Sequence, residues 1–446
     1  MQLPWVMTIV SNLAVRAYYR VTVAGARVPA DGPVLLVANH SNSLVDPALV
    51  VCAADRTVRF LAKAPLFTDP LIGWLIKGVG SVPVYRQQDD PSKLVQNIDS
   101  FRDVHAVLAA GNTIGIFPEG ISHSSSALAP LKTGAARIAI GAGKRTGRDF
   151  PIIAMGLVFR DRNEFRSEAH VIISEPFTWG DLLRDEINER AAVRELTGRI
   201  EAAMRRVTVN LEQWEDQPII DAASDVWQAE RGAPAMDDAT VALARVRRIA
   251  VATEALRALR GGGGDAWREV AAALQEHAHA LRLLGLTPAE LKSNVRVGEA
   301  LGWTVARVPL VVVLPVSFVG GVLFWLPKQV TARVADGMSA TEGEDTLVTY
   351  RVLVGGVVFG LWFLLVAALV WPFTGLGWAL LSLVLQPLWA FAALAVGERR
   401  QQAWQAARRF FLRRRVRPHL EVVRERQREL AERLHRLYDR VTSVTT

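Results

Sequence analysis

Three long stretches without a charged residue constrain the fold of this chain more than any other feature. They cover residues 308–327, 352–371 and 378–396. Each has about the 20 residues that a helix needs to cross the hydrocarbon core of a bilayer. In lipid such a stretch must be helical, because its backbone N–H and C=O groups find no water there. The sequence therefore predicts an integral membrane protein, with buried core helices as the alternative.

A basic tail follows the last of these stretches. The formal net charge is +8, and fourteen Arg with six acidic residues from Gly397 onward account for all of it. A basic cluster beside an apolar segment is typical of contact with anionic lipid or of a cytosolic end. No groove-reading motif accompanies it, so nucleic acid is not predicted as a partner. Past Pro418 the apolar residues recur at 3-4 spacing, with Gln427 in one slot. This predicts a helix, either a short coiled coil or one lying on the protein body or the membrane surface.

Short apolar runs between about residues 20 and 177 predict a different architecture, an α/β domain with a largely parallel sheet flanked by helices. The runs are "PVLLVA", "TVRFLA", "SVPVY", "TIGIF", "PIIAMGLVF" and "HVIIS". Near-continuous apolar runs are typical of strands buried on both faces, and the segments between them are long enough for crossover helices. Residues 1–19 have apolar residues at helical spacing, which predicts either an interfacial helix or one packed on the domain.

Residues 178–303 are charged, rich in Ala, Leu and Arg, and helical in pattern, and their role is left open. His277 and His279 lie two residues apart and so do not share a helix face, which favours a solvated surface over a metal pair. The single cysteine, Cys52, excludes an intramolecular disulfide and a Cys-rich metal site. It falls in the helix predicted after Pro47, where a core position is favoured over a nucleophile.

Ionisable residues follow the carboxyl ends of four of the predicted strands. They are His40, Lys63, Arg86 and Glu119. In an open α/β sheet this edge is where ligands bind, so the four predict one site. The set is basic on balance, which favours an anionic ligand such as a phosphate.

The segment "ANHSNSLVDP" places Asp46 six residues after His40. Because Pro47 suits the first helical position, Asp46 is also a candidate N-cap of the next helix. The two roles are compatible if one carboxylate oxygen accepts a helix N–H while the other accepts from Nδ1–H of His40. The Nε2 atom of His40 would then be free to act as a general base.

Four motifs in this region resemble, in order, those of the glycerophospholipid acyltransferase family. They are "NHSNSLVD", "GSVPVYR", "FPEG" and "PIIAMGL", and the likeness covers about residues 20–177. Longer stretches resemble more closely the glycerol-3-phosphate/dihydroxyacetone-phosphate acyltransferase branch known from fungi. These are "FLAKAPLF", "FPEGISHSSSALAPLKTG" and "GLVFRDRNEFRS".

The resemblance implies a membrane-associated acyltransferase of phospholipid synthesis. His40, oriented by Asp46, would take the proton from an acceptor hydroxyl. The oxygen would attack an acyl thioester on CoA or acyl carrier protein, and backbone N–H groups would stabilise the oxyanion. Arg86 would hold the phosphate of glycerol-3-phosphate, dihydroxyacetone phosphate or lysophosphatidate as a planar fork. Glu119 and Gly120 would shape the acceptor pocket, and neither a metal nor a cofactor is required.

Two details depart from the broad family pattern. The family's first motif has four residues between His and Asp, whereas five residues separate His40 from Asp46. The longer spacing resembles that of the fungal branch. The Arg often found after Glu-Gly in the third motif is absent, and residues 121–123 are Ile-Ser-His. Phosphate binding is therefore assigned to Arg86 and Lys132. Lys63 and Ser122 complete the predicted substrate-binding residues.

Two other functions stay open at this point. A serine hydrolase of lipid esters would use Ser122 or Ser124 with His40 and Asp46, although neither Ser lies in a Gly-x-Ser-x-Gly elbow. A catalytically inactive membrane scaffold would keep the fold without the chemistry. The sequence makes no prediction of the acyl chain, the donor carrier or the oligomeric state.

The number of membrane crossings follows from the cytosolic location of a thioester donor. If the catalytic domain and the basic tail are both cytosolic, the number of crossings is even. The stretch 308–327 contains Pro315 and Gly320-Gly321, which predict a break into a re-entrant or interfacial hairpin. The predicted crossings are therefore 352–371 and 378–396, and three full crossings with the tail outside are the alternative.

Overall fold

The structure is a computed structural model that describes residues 4–69, 72–85, 97–184, 187–211, 213–231, 253, 266–292, 308–340, 343–415 and 417–445. These residues form two compact units. The first unit comprises residues up to Trp214 together with the later segment 338–352, and the second comprises the remaining described residues.

The first unit is built on a seven-stranded sheet. Its strands are β1 (Arg20–Gly25), β2 (Val34–Ala38), β3 (Val58–Lys63), β4 (Val82–Val84), β5 (Thr113–Ile116), β6 (Ile152–Phe159) and β7 (Glu168–Ile173). Its helices in the described part of the chain are α1 (Pro4–Tyr18), α2 (Val45–Ala54), α3 (Gly73–Gly78), α4 (Asn97–Ala109), α5 (Gly134–Thr146) and α6 (Glu189–Val207).

The strand order is β1-β7-β6-β2-β5-β3-β4, and every neighbouring pair is parallel except β6 with β7. The predicted largely parallel sheet is confirmed, and each of the six apolar runs contains a strand. The sequence pattern misses β1, "RVTVAG", because this edge strand is only partly buried and has no continuous apolar run.

Helices cover both faces of the sheet, and each face has its own core. Side chains alternate along a strand, so Leu35 and Val37 of β2 face α4, α5 and α6, while Val34 and Leu36 face α1 and α2. This explains why the central strands are apolar at every position.

The α/β unit extends beyond the predicted boundary at residue 177. Helix α6 packs on the sheet, and its residues Leu196, Ile200 and Met204 are buried in the same core as β2. The sequence analysis placed this segment in a separate helical region because its composition is charged. Only one face of an amphipathic helix needs to be apolar, so composition does not reveal that the helix is part of the domain.

Helix α1 has one buried and one exposed apolar face. Val15 is buried in the core with α2, and Tyr19, just past the helix, lies in the same core. Ile9, Val10 and Leu13 are exposed. The helix therefore packs on the domain and still presents an apolar surface, which combines features of both predicted alternatives.

The other α-helices among the described residues are α7 (Gln217–Arg231), α8 (Ala266–Leu284), α9 (Pro288–Lys292), α10 (Val308–Leu323), α11 (Trp325–Ser339), α12 (Leu347–Thr374), α13 (Leu376–Arg415) and α14 (Arg417–Thr445). The basic tail, α14, packs with α7, α8 and α9 in the second unit, where Leu420 and Leu430 are buried. Of the predicted alternatives, the tail adopts the one in which it lies on the protein body.

The prediction that His277 lies on a solvated surface is wrong. His277 of α8 is buried, and its Nε2 lies 3.2 Å from Oε1 of Gln427. The Gln427 amide nitrogen donates to Glu230 and to the carbonyl oxygen of Pro288, so its oxygen accepts from a neutral His277. Gln427 interrupts the apolar spacing of α14 because it meets this histidine. His279 is exposed, so the two histidines do not form a metal pair.

Acid is expected to destabilise this helical bundle. Burial lowers the pKa of His277 more than its bond to Gln427 raises it. The unfolded chain takes up a proton below about pH 6.5, whereas folded His277 stays neutral to lower pH, so the free energy of unfolding falls as the pH drops below about 6.5. Urea unfolding at pH 7.5 and 5.5 should show a smaller loss for His277→Gln than for the unsubstituted protein. His279→Gln is the control, and an unchanged pH dependence in His277→Gln would contradict the expectation.

Two helices of the described chain have the length and composition to cross a membrane. The spans are Glu344–Thr374, with a mean hydropathy of 2.6, and Leu376–Gln401, with a mean hydropathy of 2.0. They contain the predicted crossings 352–371 and 378–396. Helix α10 has 16 residues. At 1.5 Å per residue its length is about 24 Å, less than the hydrocarbon thickness of about 30 Å.

The predicted break of 308–327 at its Pro and Gly residues is wrong. Helix α10 continues through Pro315 and the glycine pair, and the chain turns at Phe324 instead. Gly320 serves close packing, since a Cβ there would lie 2.6 Å from Cβ of Ala393 on α13. Ser317 Oγ donates to the carbonyl oxygen of Ala393 at 3.2 Å beside this contact. The small residue therefore allows two helices to approach, which is its common use in membrane proteins.

Candidate active site

Three of the four predicted strand-end residues lie in the described structure, at one edge of the sheet. His40 follows β2, Lys63 ends β3 and Glu119 follows β5, and these parallel strands are neighbours. The fourth, Arg86, lies outside the described residues. His40 and Glu119 are in direct contact. Lys63 makes no hydrogen bond with either of them among the described residues.

Asn39 fixes the direction in which the chain leaves the sheet. Its side-chain amide donates to the carbonyl oxygen of Leu157 at 3.0 Å and accepts from the Leu157 N–H at 2.7 Å. The Asn39 side chain thus continues the hydrogen bonding between β2 and β6 for one residue beyond the end of β2. The next residue, His40, is thereby placed at a defined point above the sheet.

The spacing of His40 and Asp46 produces the predicted contact. Nδ1 of His40 lies 3.0 Å from Oδ2 of Asp46, whose side chain is fully buried. The same oxygen accepts the backbone N–H of Ser41 at 2.7 Å and of Asn42 at 2.6 Å. An oxygen that accepts two backbone N–H groups is acting as an acceptor, so Nδ1 of His40 carries the proton. The Nε2 atom is therefore the unprotonated nitrogen of the neutral ring.

The expectation that Asp46 caps helix α2 is wrong. The residue preceding the helix is Leu44, without a side-chain cap, and Asp46 lies within the first turn. Its Oδ2 binds the loop before the helix, while Oδ1 has no hydrogen-bond partner among the described residues. A carboxylate in a first turn still benefits from the helix dipole. The main contribution of Asp46 is nevertheless to close the loop from His40 to the helix.

An aromatic stack covers the imidazole ring. The Phe117 ring lies 4.1 Å from that of His40 with an interplanar angle of 16°, and Phe60 stacks on the other side of Phe117 at 5.8 Å. This stacking restricts the rotation of the imidazole and shields one of its faces from water. Neither phenylalanine is among the predicted site residues, although Phe117 opens the motif "FPEG" and Phe60 opens the stretch "FLAKAPLF".

Glu119 holds together two loops, the one that follows β2 and contains His40, and the one that follows β5. Its Oε1 accepts the backbone N–H of His40 at 2.8 Å. Its Oε2 accepts the backbone N–H of Ala129 at 2.8 Å and also contacts Nε2 of His123. The carboxylate is buried, and each oxygen is bound to N–H groups of the chain itself. Its contribution to an acceptor pocket is therefore to set the course of the loops around it.

His123 adds a second connection between these loops. Its backbone N–H donates to the carbonyl oxygen of His40 at 3.1 Å, and its Nδ1 accepts from Ser125 N–H at 3.1 Å. Because Nδ1 is an acceptor, Nε2 carries the proton and donates to Glu119. Sequence reasoning mentioned this histidine only as part of a departure from the family pattern. Its position four residues after Glu119 was the available signal.

Ser122 lies between the two loops. Its hydroxyl oxygen accepts the backbone N–H of Ser43 at 3.2 Å. Among the described residues, neither Ser122 nor Ser124 is hydrogen-bonded through its hydroxyl to His40. Ser122 therefore stabilises the backbone at Ser43, and neither it nor Ser124 forms a nucleophile–base pair with His40 in the described part of the chain.

Gly120 and Lys132 lie side by side. Gly120 has a φ of +77°, and a Cβ at this position would lie 3.3 Å from Cγ of Lys132. The backbone N–H of Lys132 donates to the carbonyl oxygen of Pro118 at 2.7 Å, and its side chain is exposed. The structure thus brings an exposed lysine next to the glycine of the third motif. A positive φ and a close neighbour both favour glycine there.

Polar side chains from outside the loop between His40 and Asp46 hold it through hydrogen bonds. The Tyr19 hydroxyl contacts the carbonyl oxygen of Arg162 and accepts from the Asn42 side-chain amide at 2.9 Å. Arg162 Nη1 donates to the carbonyl oxygen of Ser41 at 2.8 Å. Burial raises the pKa of Tyr19, so its hydroxyl stays protonated and donates. Sequence reasoning missed these residues because nothing local marks them as partners of the loop.

The other residues with catalytic potential are accounted for by packing. Cys52 lies on α2 and is buried in the core that this helix forms with the sheet, as predicted, and burial raises the pKa of its thiol. A thiol in this state is a poor nucleophile. Among the described residues, no group of three His, Cys, Asp or Glu side chains is placed to hold a metal ion.

A comparison with protein-family models matches the part of the chain that contains this site. Residues 20–158 match the family model described as Acyltransferase. A glycerol-3-phosphate O-acyltransferase of Saccharomyces cerevisiae is 31% identical over 139 residues, which cover 30% of this chain and 18% of the relative. A chloroplastic 1-acyl-sn-glycerol-3-phosphate acyltransferase of Brassica napus is 26% identical over 194 residues, which cover 41% of this chain and 53% of the relative.

The matches with these two relatives cover about half of their length or less. Among solved structures, a 1-acyl-sn-glycerophosphate (LPA) acyltransferase from Thermotoga maritima is 21% identical. The likeness covers 46% of this chain and 78% of that chain, with a TM-score of 0.34.

Proposed function

We propose, on the premise that residues 20–158 belong to the acyltransferase family, that this chain transfers a fatty acyl group to a hydroxyl of a glycerol-phosphate compound. The observation that carries the proposal is the pairing of His40 with Asp46. The pairing leaves Nε2 of His40 as an unprotonated nitrogen beside the strand ends. A ring fixed in this tautomer is suited to general-base catalysis.

The reaction follows from that geometry. Nε2 of His40 takes the proton of the acceptor hydroxyl as its oxygen forms a bond with the thioester carbonyl carbon. The buried carboxylate of Asp46 stabilises the imidazolium that results. The tetrahedral intermediate then collapses, the C–S bond breaks, and the leaving thiolate sulfur takes the proton from Nε2. The products are the ester and a free thiol, and His40 returns to its initial state.

The acceptor phosphate would be bound by cations near the same edge. Lys132 is the described candidate, because its exposed side chain lies against Gly120 of the third motif. Lys63, exposed at the end of β3, is a second candidate. Arg86 remains a candidate from the sequence, since its planar guanidinium would bind a phosphate as a fork.

The acceptor and the donor are the finer part of the proposal. The two relatives are named for glycerol-3-phosphate and for its 1-acyl derivative, so acceptors with and without an acyl chain are both supported. The resemblance to the fungal branch adds dihydroxyacetone phosphate. The donor is an acyl thioester, either of CoA or of acyl carrier protein.

The test is an acyl-transfer assay with the purified full-length chain in lipid nanodiscs. Acyl-CoA and acyl carrier protein would each be supplied with glycerol-3-phosphate, dihydroxyacetone phosphate or lysophosphatidate. We expect ester formation with at least one acceptor, dependent on His40. Acceptor-independent release of fatty acid together with labelling by a fluorophosphonate would instead identify a serine hydrolase. Absence of turnover with every pair would favour the inactive scaffold.

An integral membrane protein with two crossings is part of the same proposal. Val348 is buried in the α/β core, so the chain directly before the apolar part of α12 lies on the side of the catalytic domain. Tail helix α14 packs with α7, which follows the catalytic domain without an intervening apolar stretch. In the proposed topology the tail and the catalytic domain share one side of the membrane, which requires an even number of crossings. The cytosolic location of thioester donors assigns that side to the cytosol.

Single cysteines should distinguish this topology from three crossings. In a Cys52→Ser background, Phe373→Cys, between the predicted crossings 352–371 and 378–396, should react with a membrane-impermeant thiol reagent on intact cells, since Phe373 is exposed. Gly337→Cys and Val422→Cys should react only after permeabilisation, since both positions are exposed on the cytosolic side of the proposed topology. Labelling of Val422→Cys on intact cells would place the tail outside and contradict the two-crossing topology.

A further inference from the structure

A segment far from the motifs in sequence completes the catalytic domain. Residues 343–352 belong to the first unit, although they follow the strands by more than 160 residues. Val348 is fully buried, in the same core as Val45 and Leu49 of α2. The start of α12 is therefore packed against α2, whose first turn contains Asp46.

One side chain of this segment binds the catalytic loop directly. Oγ1 of Thr349 accepts the backbone N–H of Leu44 at 3.1 Å, and Thr349 is only 4% exposed. Leu44 directly precedes α2 and lies two residues before Asp46. A backbone N–H at a helix start has no partner within the helix and needs one from elsewhere. Thr349 supplies it from a position 305 residues away.

The loop needs such support because it contains a strained residue. Ser43 has a φ of +38°, which is unfavourable for a residue with a side chain. Such a conformation persists only when the surrounding structure holds it. The Ser43 N–H is held by Ser122 and the next N–H, that of Leu44, by Thr349. The two bonds thus act on either side of the strained residue, between His40 and Asp46.

A second contact connects the same segment to residues 160–167, the connection between the antiparallel strands β6 and β7. Arg351 Nη1 donates to the carbonyl oxygen of Asn163 at 2.7 Å. The preceding residue, Arg162, donates to the carbonyl oxygen of Ser41 within the loop. The segment therefore supports both the beginning of the loop, through this connection, and its end, through Thr349.

We propose that Thr349 is a positioning residue for acyl transfer, whose hydroxyl oxygen holds the loop between His40 and Asp46 in its catalytic conformation. This inference rests on the proposed function, and it extends the site to the first turn of α12. Thr349 does not touch the reacting atoms. It acts through the Leu44 N–H, which must be held for Asp46 to meet the imidazole.

The activity test compares Thr349→Val, which removes the acceptor at constant shape, with Thr349→Ser, which keeps it. A displacement of catalytic groups by about 1 Å can cost about 100-fold in rate. We expect Thr349→Val to lower kcat by about 10- to 100-fold with little change in the acceptor KM. Thr349→Ser should retain kcat within about threefold, since a hydroxyl acceptor is restored.

Thr346→Val is the matched control. Its hydroxyl lies in the same segment but donates only to the carbonyl oxygen of Gly343, within its own turn. It should leave kcat unchanged. If Thr349→Val does not fold, Thr349→Ala replaces it, because it also lacks the acceptor and avoids any clash of the second methyl group.

Amide hydrogen exchange measured by mass spectrometry tests the inference without relying on activity. Thr349→Val should accelerate exchange in the peptide covering residues 41–46 at least tenfold and leave β2 and β5 unchanged. General destabilisation would accelerate exchange in those strands as well. Equal exchange at 41–46 in Thr349→Val and the unsubstituted protein, or a kcat defect as large in Thr349→Ser, would overturn the proposal. If the unsubstituted protein acylates no acceptor, the proposed function fails, and the exchange result alone decides the role of Thr349.

Discussion

His40→Ala is expected to lower the rate of acyl transfer by about 100- to 10,000-fold, because a positioned general base contributes that much to a proton-transfer step. The protein should still fold. The Oδ2 atom of Asp46 keeps the N–H groups of Ser41 and Asn42 when the imidazole is removed, and Glu119 still binds the backbone N–H at position 40. Steady-state rates and circular dichroism of the purified variant would measure both properties.

His279→Ala is the matched control for this substitution. It removes an exposed imidazole from the second unit and should leave the transfer rate unchanged. Near-normal turnover in His40→Ala would remove His40 as the base and with it the proposed mechanism. A variant that fails to fold would instead indicate that the ring is needed for packing against Phe117.

Asp46→Ala is expected to reduce both activity and stability. The imidazole loses its orienting partner, so the rate should fall nearly as far as in His40→Ala. The N–H groups of Ser41 and Asn42 lose their acceptor in a buried place, and each such loss costs about 1–3 kcal/mol. The free energy of unfolding should therefore decrease by about 2–6 kcal/mol, measured by denaturant titration.

Asp46→Asn separates the two contributions. The two backbone N–H groups require an oxygen at the Oδ2 position, so the side-chain amide should keep its oxygen there and its nitrogen at the Oδ1 position. The tautomer of His40 and the stability would then be preserved, and only the negative charge would be lost. We expect kcat to fall by about 10- to 100-fold, as for the loss of a charge-assisted bond. A rate in Asp46→Asn as low as in Asp46→Ala would show that orientation, rather than charge, is lost in both.

The sequence was sufficient to predict the elements whose signal is local. The central strands β2, β5 and β6 are buried on both faces, so each appears as a nearly continuous apolar run. Parallel strands also place their carboxyl ends at one edge, which is why His40 and Glu119 could be assigned to one site before any coordinates. The contact between His40 and Asp46 belongs to the same class, since only five residues separate the partners along the chain.

Where one residue can satisfy two local rules, the sequence alone gave the wrong choice. Asp46 before Pro47 has the pattern of a helix cap, but the helix begins at Val45, one residue before Asp46. The carboxylate binds N–H groups of the preceding loop instead. Pro315 and Gly320 have the pattern of a helix break, but Gly320 is where α10 meets Ala393 of α13. In both cases a partner outside the local segment decided the outcome.

Partners separated by long stretches of chain were determined only by the tertiary structure. Local spacing predicts a surface position for His277. In the structure it is buried and hydrogen-bonded to Gln427, 150 residues later in the chain. Helix α6 was assigned to another region because its charged face dominates its composition. Thr349 carries no sequence signal at all, since a threonine at the start of an apolar helix is ordinary. Periodicity and motif spacing record which face of an element is buried and which chemistry lies at its end. Which distant backbone N–H a buried hydroxyl will accept depends on how the elements pack, and packing is a property of the whole domain.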